Sequence, residues 1–174
     1  MNEKRINVAI DGTSSSGKST MAKALAKAVG YTYIDTGAMY RCVALFCMRH
    51  HLIVNGKVDE HQLLPLLPNI HIQFRIEDGK QVAYLNGENV ESEIRGLEVS
   101  NNVSPVAAIA GVRHAMVRLQ QEMGKNKGVV MDGRDIGTVV LPDAEIKLFV
   151  TTSPEIRAQR RFIEMRAKGD SNVT

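Results

Sequence analysis

The chain has 174 residues, of which 44% are hydrophobic and 24% charged, a composition typical of one globular domain with room for a small insertion. Its net charge of +3 suits anionic small ligands, whereas the absence of tryptophan and the presence of only four Phe and four Tyr provide a poor stacking surface for single-stranded nucleic acid. Because no apolar stretch is long enough for a signal peptide or a membrane span, we expect a cytoplasmic protein that binds neither membranes nor nucleic acid.

The amino-terminal part of the sequence alternates between strand and helix patterns. Residues 6–10 form a short apolar run typical of a strand covered on both faces. Residues 18–29 have helical spacing and end at Gly30, and residues 31–35 then predict a second strand. A second helix follows, with Asp35 or Thr36 as its N-cap. Strand and helix in alternation predict a parallel sheet.

The cysteines and histidines show no metal-binding or disulfide pattern. Cys42 and Cys47 are five residues apart in the second predicted helix, where they would point in different directions. We therefore expect two buried, reduced cysteines. The five histidines lack ligand spacing, so we assign them no catalytic or metal-binding role.

The pattern changes after the Leu- and Pro-rich segment that ends at Pro68. The turn pairs Asp78-Gly79 and Asn86-Gly87 are favoured in tight hairpins. They separate three short β-type runs, at residues 70–76, 80–85 and 89–92. Antiparallel hairpins within a parallel α/β chain predict an inserted subdomain over residues 65–104.

Helix and strand patterns of the core type return after the insert. Ser104 is expected to be the N-cap of a long helix with Pro105 in its first turn, although a capping serine can also contact a ligand. Two further core strands are predicted within residues 128–137 and 145–151, and a last helix from Pro154 to Lys168. The predicted fold is therefore α/β, with helices on both faces of a parallel sheet and an antiparallel insert.

The first strand runs directly into a phosphate-binding motif. The segment has the form Gly-x-x-x-x-Gly-Lys-Ser, and it lies between a buried strand and a helix, as the mechanism requires. The glycines allow successive backbone N–H groups to point at one phosphate, the helix N-terminus favours negative charge, and the lysine reaches the outer phosphates. Serine at the last position is a Mg²⁺ ligand through its hydroxyl. The predicted ATP-binding residues are Gly12, Thr13, Ser14, Ser15, Ser16, Gly17, Lys18, Ser19 and Thr20.

Nucleotide binding leaves the reaction class open. A GTP-dependent switch would need a guanine-reading Asn-Lys-x-Asp, but the nearest run, residues 126–129, lacks the aspartate. A nucleic-acid-dependent ATPase would need a broad basic face, which the sequence does not show. A kinase of a small molecule is favoured, with a nucleotide-hydrolysing switch or binding protein as the alternative from another class.

Three further polar segments lie where predicted strands end, which is where ligands bind in open parallel sheets. They read "DTGAMYR" from Asp35, "VSPVAAIAGVR" from Val103 and "DGRDIGTVVLP" from Asp132. Together with the phosphate loop, they closely resemble the bacterial cytidylate kinase family, which phosphorylates CMP and dCMP with ATP and Mg²⁺. The resemblance covers essentially the whole chain, including the hairpin insert.

The resemblance implies roles for residues in these segments. Arg41 and Arg134 would bind the monophosphate, for which forked guanidinium hydrogen bonds are suited, and with Lys18 they form the expected catalytic set. Asp135 would accept a hydrogen bond from the cytosine amine, which would disfavour the carbonyl of uracil at that position. The expected substrate-binding residues are Asp35, Tyr40, Arg41, Ser104, Arg113, Arg134 and Asp135.

Two other sets of residues are predicted, one for the Mg²⁺ site and one for a lid. Asp132 follows an apolar run as a Walker-B acid does, and it would reach Mg²⁺ through water alongside Ser19. Arginines of the last predicted helix would meet ATP phosphates when a lid closes, or would form a solvated basic face. The lid candidates are Arg157, Arg160 and Arg161.

Structural alternatives remain open for most of these residues. Arg41 and Arg113 also fit a solvated helix face, and Tyr40 fits a packing role. Asp35 fits an N-cap, Asp132 a turn carboxylate, and Arg134 with Asp135 a turn held by a local ion pair.

The sequence departs from the family pattern in two places. Thr13 stands where the family commonly has proline, which loosens the loop but removes no backbone donor. The family continues beyond Thr174 through the rest of a lid, a last core strand and a helix, so we expect this sequence to be part of a longer enzyme.

The expected domains are a core of residues 1–64 and 105–153 without its last strand, a monophosphate-binding insert of 65–104 and the start of a lid at 154–174. We expect a monomer that binds ATP and CMP or dCMP; a related kinase of another small acceptor is the alternative.

Overall fold

The computed structural model describes residues 4–78 and 80–167. The chain divides into two compact units, the first comprising Met1–Thr36 and Gln120–Thr174 and the second Gly37–Leu119. The elements in chain order are β1 (Asn7–Gly12), α1 (Lys18–Val29), β2 (Thr32–Asp35), α2 (Thr36–Arg49), β3 (Ile53–Val54), β4 (Lys57–Val58), α3 (Glu60–Leu63), a 3₁₀ turn (Leu64–Asn69), β5 (Ile72–Glu77), β6 (Lys80–Leu85), β7 (Glu88–Asn89), α4 (Glu91–Ile94), α5 (Leu97–Ala108), α6 (Ala110–Gly124), β8 (Val129–Gly133), a π-helical turn (Ile136–Val140), β9 (Ile146–Val150) and α7 (Pro154–Ala167).

The first unit is built on a parallel sheet with the strand order β2-β8-β1-β9. The apolar residues of β1 and β8 are almost completely buried, as expected for central strands of a parallel sheet. Ala22 and Ala26 of α1 pack in the same core cluster as Val8, Ile10 and Val130. The predicted parallel α/β fold is confirmed, because all three strand pairs of this sheet are parallel.

β9 is an edge strand of this sheet in the part of the chain that the structure describes. Its side chains are largely exposed, including Phe149, which is 71% exposed. The carbonyl oxygen of Val150, at the end of β9, lies against Gly12, where a Cβ atom would overlap it. The phosphate loop therefore begins at a position that only glycine can occupy.

The second unit contains the predicted antiparallel strands. β5, β6 and β7 form one sheet, and the β6–β7 turn has Asn86 and Gly87 at φ 50° and 86°, the left-handed conformations that this turn requires. The short β3–β4 hairpin was not predicted, although its Asn55-Gly56 turn is the same kind of signal. The β-type run predicted for 89–92 was wrong after Asn89, because α4 begins at Glu91.

The expectation that Ser104 is a helix N-cap was also wrong. α5 begins at Leu97 after Gly96 and continues through Ser104 and Pro105, so the exposed Ser104 lies in its last turns. The break between α5 and α6 comes instead at Ile109, whose backbone is extended, four residues after the proline that removes one helical N–H donor. Burial of Val99 and Val106, seven residues apart on one helix face, stabilises the earlier start.

The two cysteines are buried, as predicted. Burial raises the pKa of the Cys47 thiol to about 11, so this side chain is a neutral, apolar group at physiological pH. Among the described helices, none combines the length and the apolar character that crossing a lipid bilayer would require.

Glu145 stabilises the beginning of β1 by accepting a hydrogen bond from the backbone of that strand. The backbone N–H of Asn7 donates to its Oε2 at 2.9 Å, and Lys127 Nζ donates to its Oε1 at 2.9 Å. These contacts, the Asn7 N–H first, lower the pKa of the Glu145 carboxyl from 4.5 to about 2. The lowered pKa stabilises the fold above pH 4.5, and the contribution is lost as the pH falls towards 2.

We predict that Glu145→Gln destabilises the protein at neutral pH and that its difference from the wild type shrinks as the pH falls below 4.5. Urea unfolding at a series of pH values measures the free energy of unfolding of both proteins. Glu122→Gln is the control, because the exposed Glu122 carboxylate lies 3.6 Å from Lys125 and should leave the pH profile unchanged. A Glu145→Gln difference that is constant with pH would contradict the assignment.

Candidate active site

The phosphate motif forms the predicted loop between β1 and α1. Gly17 immediately precedes α1 and has a left-handed backbone with φ 96°, a conformation that glycine adopts without strain. Lys18 is the first residue of α1, so the N–H groups of the first helical turn lie directly beside the loop. A helix N-terminus joined to a glycine-containing loop is an anion-binding arrangement.

Two contacts define the shape of this loop. Lys18 Nζ donates to the carbonyl of Thr13 at 3.4 Å, and the Thr152 hydroxyl after β9 donates to the carbonyl of Ser16 at 3.0 Å. The lysine therefore lies across the loop rather than pointing into solvent. A cavity of about 650 Å³ borders this side of the loop and is lined by Ser15, Ser16, Gly17, Lys18, Ser19, Thr20, Met21, Ala24, Arg160 and Glu164.

Asp132, at the carboxyl end of β8, binds the first turn of α1. Ser19 Oγ donates to Asp132 Oδ2 at 2.7 Å, and Tyr33 Oη donates to Oδ1 at 2.7 Å. The residue is only 2% exposed, and this burial raises the pKa of its carboxyl, while the two hydrogen bonds oppose the rise. The predicted pair of Ser19 and Asp132 is thus in direct contact.

Tyr33 was missed by the sequence analysis. It belongs to β2, two residues before Asp35, and Asp35 is the register partner of Asp132. Burial raises the pKa of the Tyr33 hydroxyl, and the charges of Asp35 and Asp132 raise it further, so this hydroxyl remains a proton donor. The available signal was period-two alternation, which places Tyr33 and the buried Asp35 on one face of the strand.

The turn after β8 brings Arg134 to the phosphate loop. Arg134 Nη2 donates to Ser14 Oγ at 3.1 Å, which joins two segments 120 residues apart. Asp135 is exposed and has a left-handed backbone with φ 58°. A second cavity, of about 470 Å³, is lined by Asp11, Gly12, Thr13, Ser14, Arg134, Asp135, Thr138, Phe149 and Arg157.

The remaining predicted acceptor residues belong to the second unit. Arg41 is half-buried on α2, and its Nη1 donates to Ser100 Oγ at 2.7 Å and to the Ile94 carbonyl at 3.2 Å. These contacts hold the side chain, so Arg41 is not a freely solvated residue. Tyr40 is half-buried beside it, whereas Ser104 on α5 and Arg113 on α6 are exposed.

The lid candidates on α7 have different surroundings. Arg160 Nη1 donates to the Ser15 carbonyl at 3.3 Å, and Arg157 lines the second cavity. Arg157 Nε is buried and forms no hydrogen bond with the described residues. Arg161 instead pairs with Glu164 of the same helix at 3.2 Å. The predicted end of this helix, Lys168, lies outside the described residues.

The oxygen atoms at the loop fit a Mg²⁺ ion that arrives with a nucleotide. Among the residues that the structure describes, no group of three His, Cys, Asp or Glu side chains could hold a metal ion. The Ser19 hydroxyl and the Asp132 carboxylate provide adjacent oxygen atoms of the kind that Mg²⁺ binds. Magnesium in nucleotide sites commonly combines one or two such protein ligands with phosphate oxygens and waters, so this pair matches that donor set.

Comparison with known proteins agrees with this geometry. The family model described as "Cytidylate kinase" matches residues 8–174. The chain belongs to the cytidylate kinase family. It is 62% identical over 168 residues to the cytidylate kinase of Parabacteroides distasonis, covering 95% of this chain and 73% of that protein.

Other relatives match a similar share of this chain. The cytidylate kinase of Bacteroides fragilis is 59% identical, with 95% of this chain and 73% of the relative covered. The cytidylate kinase of Porphyromonas gingivalis is 58% identical, with 97% of this chain and 74% of the relative covered. A solved structure, TT1252 from Thermus thermophilus, has 21% identity and a TM-score of 0.45 over 97% of this chain and 75% of that one, a similarity too low to support an argument. Family membership confirms the resemblance predicted from the polar segments.

We predict that Tyr33→Phe destabilises the first unit, because it leaves one oxygen of the buried Asp132 carboxylate without its donor. Hydrogen bonds to charged groups contribute about 1.5–3 kcal/mol, and equilibrium unfolding in urea measures the loss. Tyr84→Phe is the matched control, since the Tyr84 hydroxyl donates to the half-buried Glu77 carboxylate, which water can reach. Equal losses for the two variants would contradict a special role for the buried pair.

Proposed function

We propose that the protein transfers the γ-phosphate of ATP to CMP and dCMP, producing ADP with CDP or dCDP. Family membership supports the reaction class and the acceptor. The observation that carries the proposal is the hydrogen bond between Arg134 and Ser14, because it brings an arginine suited to a second phosphate to the loop that binds the first. Since ATP and CMP are cytoplasmic metabolites, we also propose a cytoplasmic location.

ATP would bind with its phosphates on the loop between β1 and α1. The loop N–H groups and the α1 N-terminus would bind phosphate oxygens, and Lys18 would leave the Thr13 carbonyl to neutralise charge on the transferred group. Ser19 would hold Mg²⁺ directly and Asp132 would hold it through water. When bound, the ion would neutralise negative charge on the phosphates of ATP.

The acceptor would be held by the residues that the resemblance to the family implies. Arg134 and Arg41 would orient its phosphate through forked, charge-assisted hydrogen bonds. Asp135 would accept from the cytosine amine, while Ser104 and Arg113 would donate to the ring and carbonyl acceptors. A monophosphate is already anionic, so its attack depends on orientation rather than on a general base.

The remaining predicted residues have supporting roles. Asp35 would organise the Mg²⁺ site indirectly from its buried place beside Asp132, and Tyr40 would contact the acceptor nucleoside. Arg157 and Arg160 would meet ATP phosphates, for which their position beside the loop provides support. Arg161 is proposed as a lid residue on the resemblance alone.

We predict that the full-length protein, incubated with Mg-ATP and one acceptor at a time, forms ADP with CMP and dCMP but little with UMP, AMP or shikimate. The measurement is the amount of ADP and of phosphorylated acceptor. Transfer to one of the other acceptors would support a related kinase instead. ATP hydrolysis that is independent of every acceptor would reject the kinase proposal in favour of a hydrolysing switch.

The same assay tests Lys18. We predict that Lys18→Ala lowers turnover with every acceptor by about 100-fold or more, the usual cost of removing one preorganised donor to developing charge. Lys27→Ala, an exposed residue later on α1, is the control and should retain activity. Full activity in Lys18→Ala would exclude it from the transfer step.

The assay also tests the proposed role of Asp135 in selecting the base of the acceptor. We predict that Asp135→Asn lowers the ratio of kcat/KM for CMP to that for UMP by about 10-fold or more, because the carboxylate selects the cytosine amine. Asparagine is chosen because it tolerates the left-handed backbone found at this position. An unchanged ratio would remove Asp135 from base recognition.

A further inference from the structure

Asp11 binds the turn that carries Arg134 and Asp135. It is a half-buried residue near the end of β1, and its side chain has no assigned role in phosphate binding. The backbone N–H of Ile136 donates to Asp11 Oδ1 at 2.7 Å, and that of Gly137 donates to Oδ2 at 2.9 Å. Both carboxylate oxygens therefore bind the first two N–H groups of the π-helical turn Ile136–Val140.

Capping of this kind normally comes from the residue that precedes the turn. Asp135 occupies that N-cap position, and aspartate is one of the preferred capping residues. Its side chain nevertheless forms no capping hydrogen bond, and its backbone is left-handed. Asp11, 125 positions away in the sequence, supplies the acceptors instead.

We propose that Asp11 is a positioning residue for acceptor recognition. By capping the turn, it relieves Asp135 of that role and keeps the Asp135 carboxylate available for the base of the acceptor nucleotide. The specificity role rests on the proposed function, whereas the capping role does not.

The chemistry of the contact requires a carboxylate. Two N–H donors meet two charged oxygen acceptors, and such charge-assisted bonds are stronger than neutral ones. An asparagine at position 11 would offer one acceptor and turn an NH₂ group towards the second donor. The turn would then lose one bond and gain a donor–donor contact.

The backbone of Asp135 is also fixed by hydrogen bonds to its own carbonyl oxygen. The N–H groups of Val139 and Val140 donate to its carbonyl at 2.9 and 3.1 Å. A left-handed conformation at a residue with a side chain persists only when its surroundings fix it. The bonds from Ile136 and Gly137 to Asp11 are therefore part of what sets the direction of the Asp135 side chain.

The position of Asp11 in the sheet makes it a firm attachment point. It is the register partner of Gly133 on β8 and of Phe149 on β9, so its backbone lies in a central strand that is paired on both sides. Gly137 permits the close contact, because a Cβ atom there would lie 3.3 Å from Asp11 Oδ2 and 3.2 Å from the Lys147 side chain.

Asp11→Asn tests the proposal, with Asp143→Asn, an exposed residue of the same unit, as the control. Because residues that orient a functional side chain change activity by about 10–100-fold, we expect kcat/KM for CMP to fall by about 10-fold or more. The ratio of CMP to UMP should fall with it, while the Kd for Mg-ATP, measured by calorimetry, should change by less than about 3-fold. The control should leave all three values unchanged.

A measurement independent of activity tests the capping itself. In Asp11→Asn, the amides of Ile136 and Gly137 should exchange with deuterium faster than in the wild type, whereas amides of β1 should not. Unchanged exchange at these two amides would overturn the capping role. Faster exchange in a protein whose wild type does not phosphorylate CMP would refute the proposed function while leaving the capping role intact.

The kinetic outcomes separate positioning from general damage. Equal losses of ATP affinity and CMP efficiency with an unchanged CMP to UMP ratio would overturn the proposal. If Asp11→Asn does not fold, Gly137→Ala replaces it, because the added methyl group crowds the same contact while Asp11 remains. A smaller fall in the same ratio is then expected, and an unchanged ratio would overturn the proposal.

Discussion

The arrangement of the first unit depends on the hydrogen bonds that the carboxyl group of Asp132 accepts. Its two oxygens accept from Ser19 at the start of α1 and from Tyr33 of β2, and its backbone carbonyl accepts from the hydroxyl of Thr36. One residue of β8 thus joins the phosphate-binding helix to the neighbouring strand and to the beginning of α2. Because the carboxyl group is buried, each missing donor would leave a polar atom unsatisfied. The position of the Ser19 hydroxyl therefore follows from the packing of the sheet.

Three aspartates near the carboxyl ends of β1 and β8 differ in their contacts because their surroundings differ. Asp132 is buried and binds side-chain hydroxyls, whereas the half-buried Asp11 binds two backbone N–H groups. Asp135 is exposed and makes no capping bond. Of the three, only Asp135 is exposed with a side chain that makes no capping bond, which fits its proposed role in selecting the base. The other two keep the framework in place.

The sequence predicted the features that local patterns determine. The glycine-containing loop and the parallel strands depend on glycine spacing and short apolar runs. The parallel strands were confirmed, and the loop lies between β1 and α1 as predicted. Tyr33 and Asp11 were missed because their partners are 99 and 125 positions away in the sequence. The alternation within β2 places Tyr33 on the same strand face as Asp35, but it does not identify Asp132 as the partner. Ser104 was wrongly expected to begin a helix, since Ser-Pro is a local start signal, whereas burial of Val99 and Val106 extended α5 past it. Tertiary packing overrode the local preference at that position.

The central strand β1 connects the glycine-containing loop to the turn that carries Arg134 and Asp135, within one unit. Its last residue, Gly12, begins the loop against the Val150 carbonyl, and the residue before it, Asp11, holds the turn after β8. These two positions are consecutive, so a shift of β1 along the sheet would displace the loop and the turn together. The Arg134 to Ser14 bond joins the same two segments a second time. Substitutions that alter the register of β1 should therefore change ATP affinity and base preference at once, whereas the loss of the Asp11 carboxylate alone should change only the second.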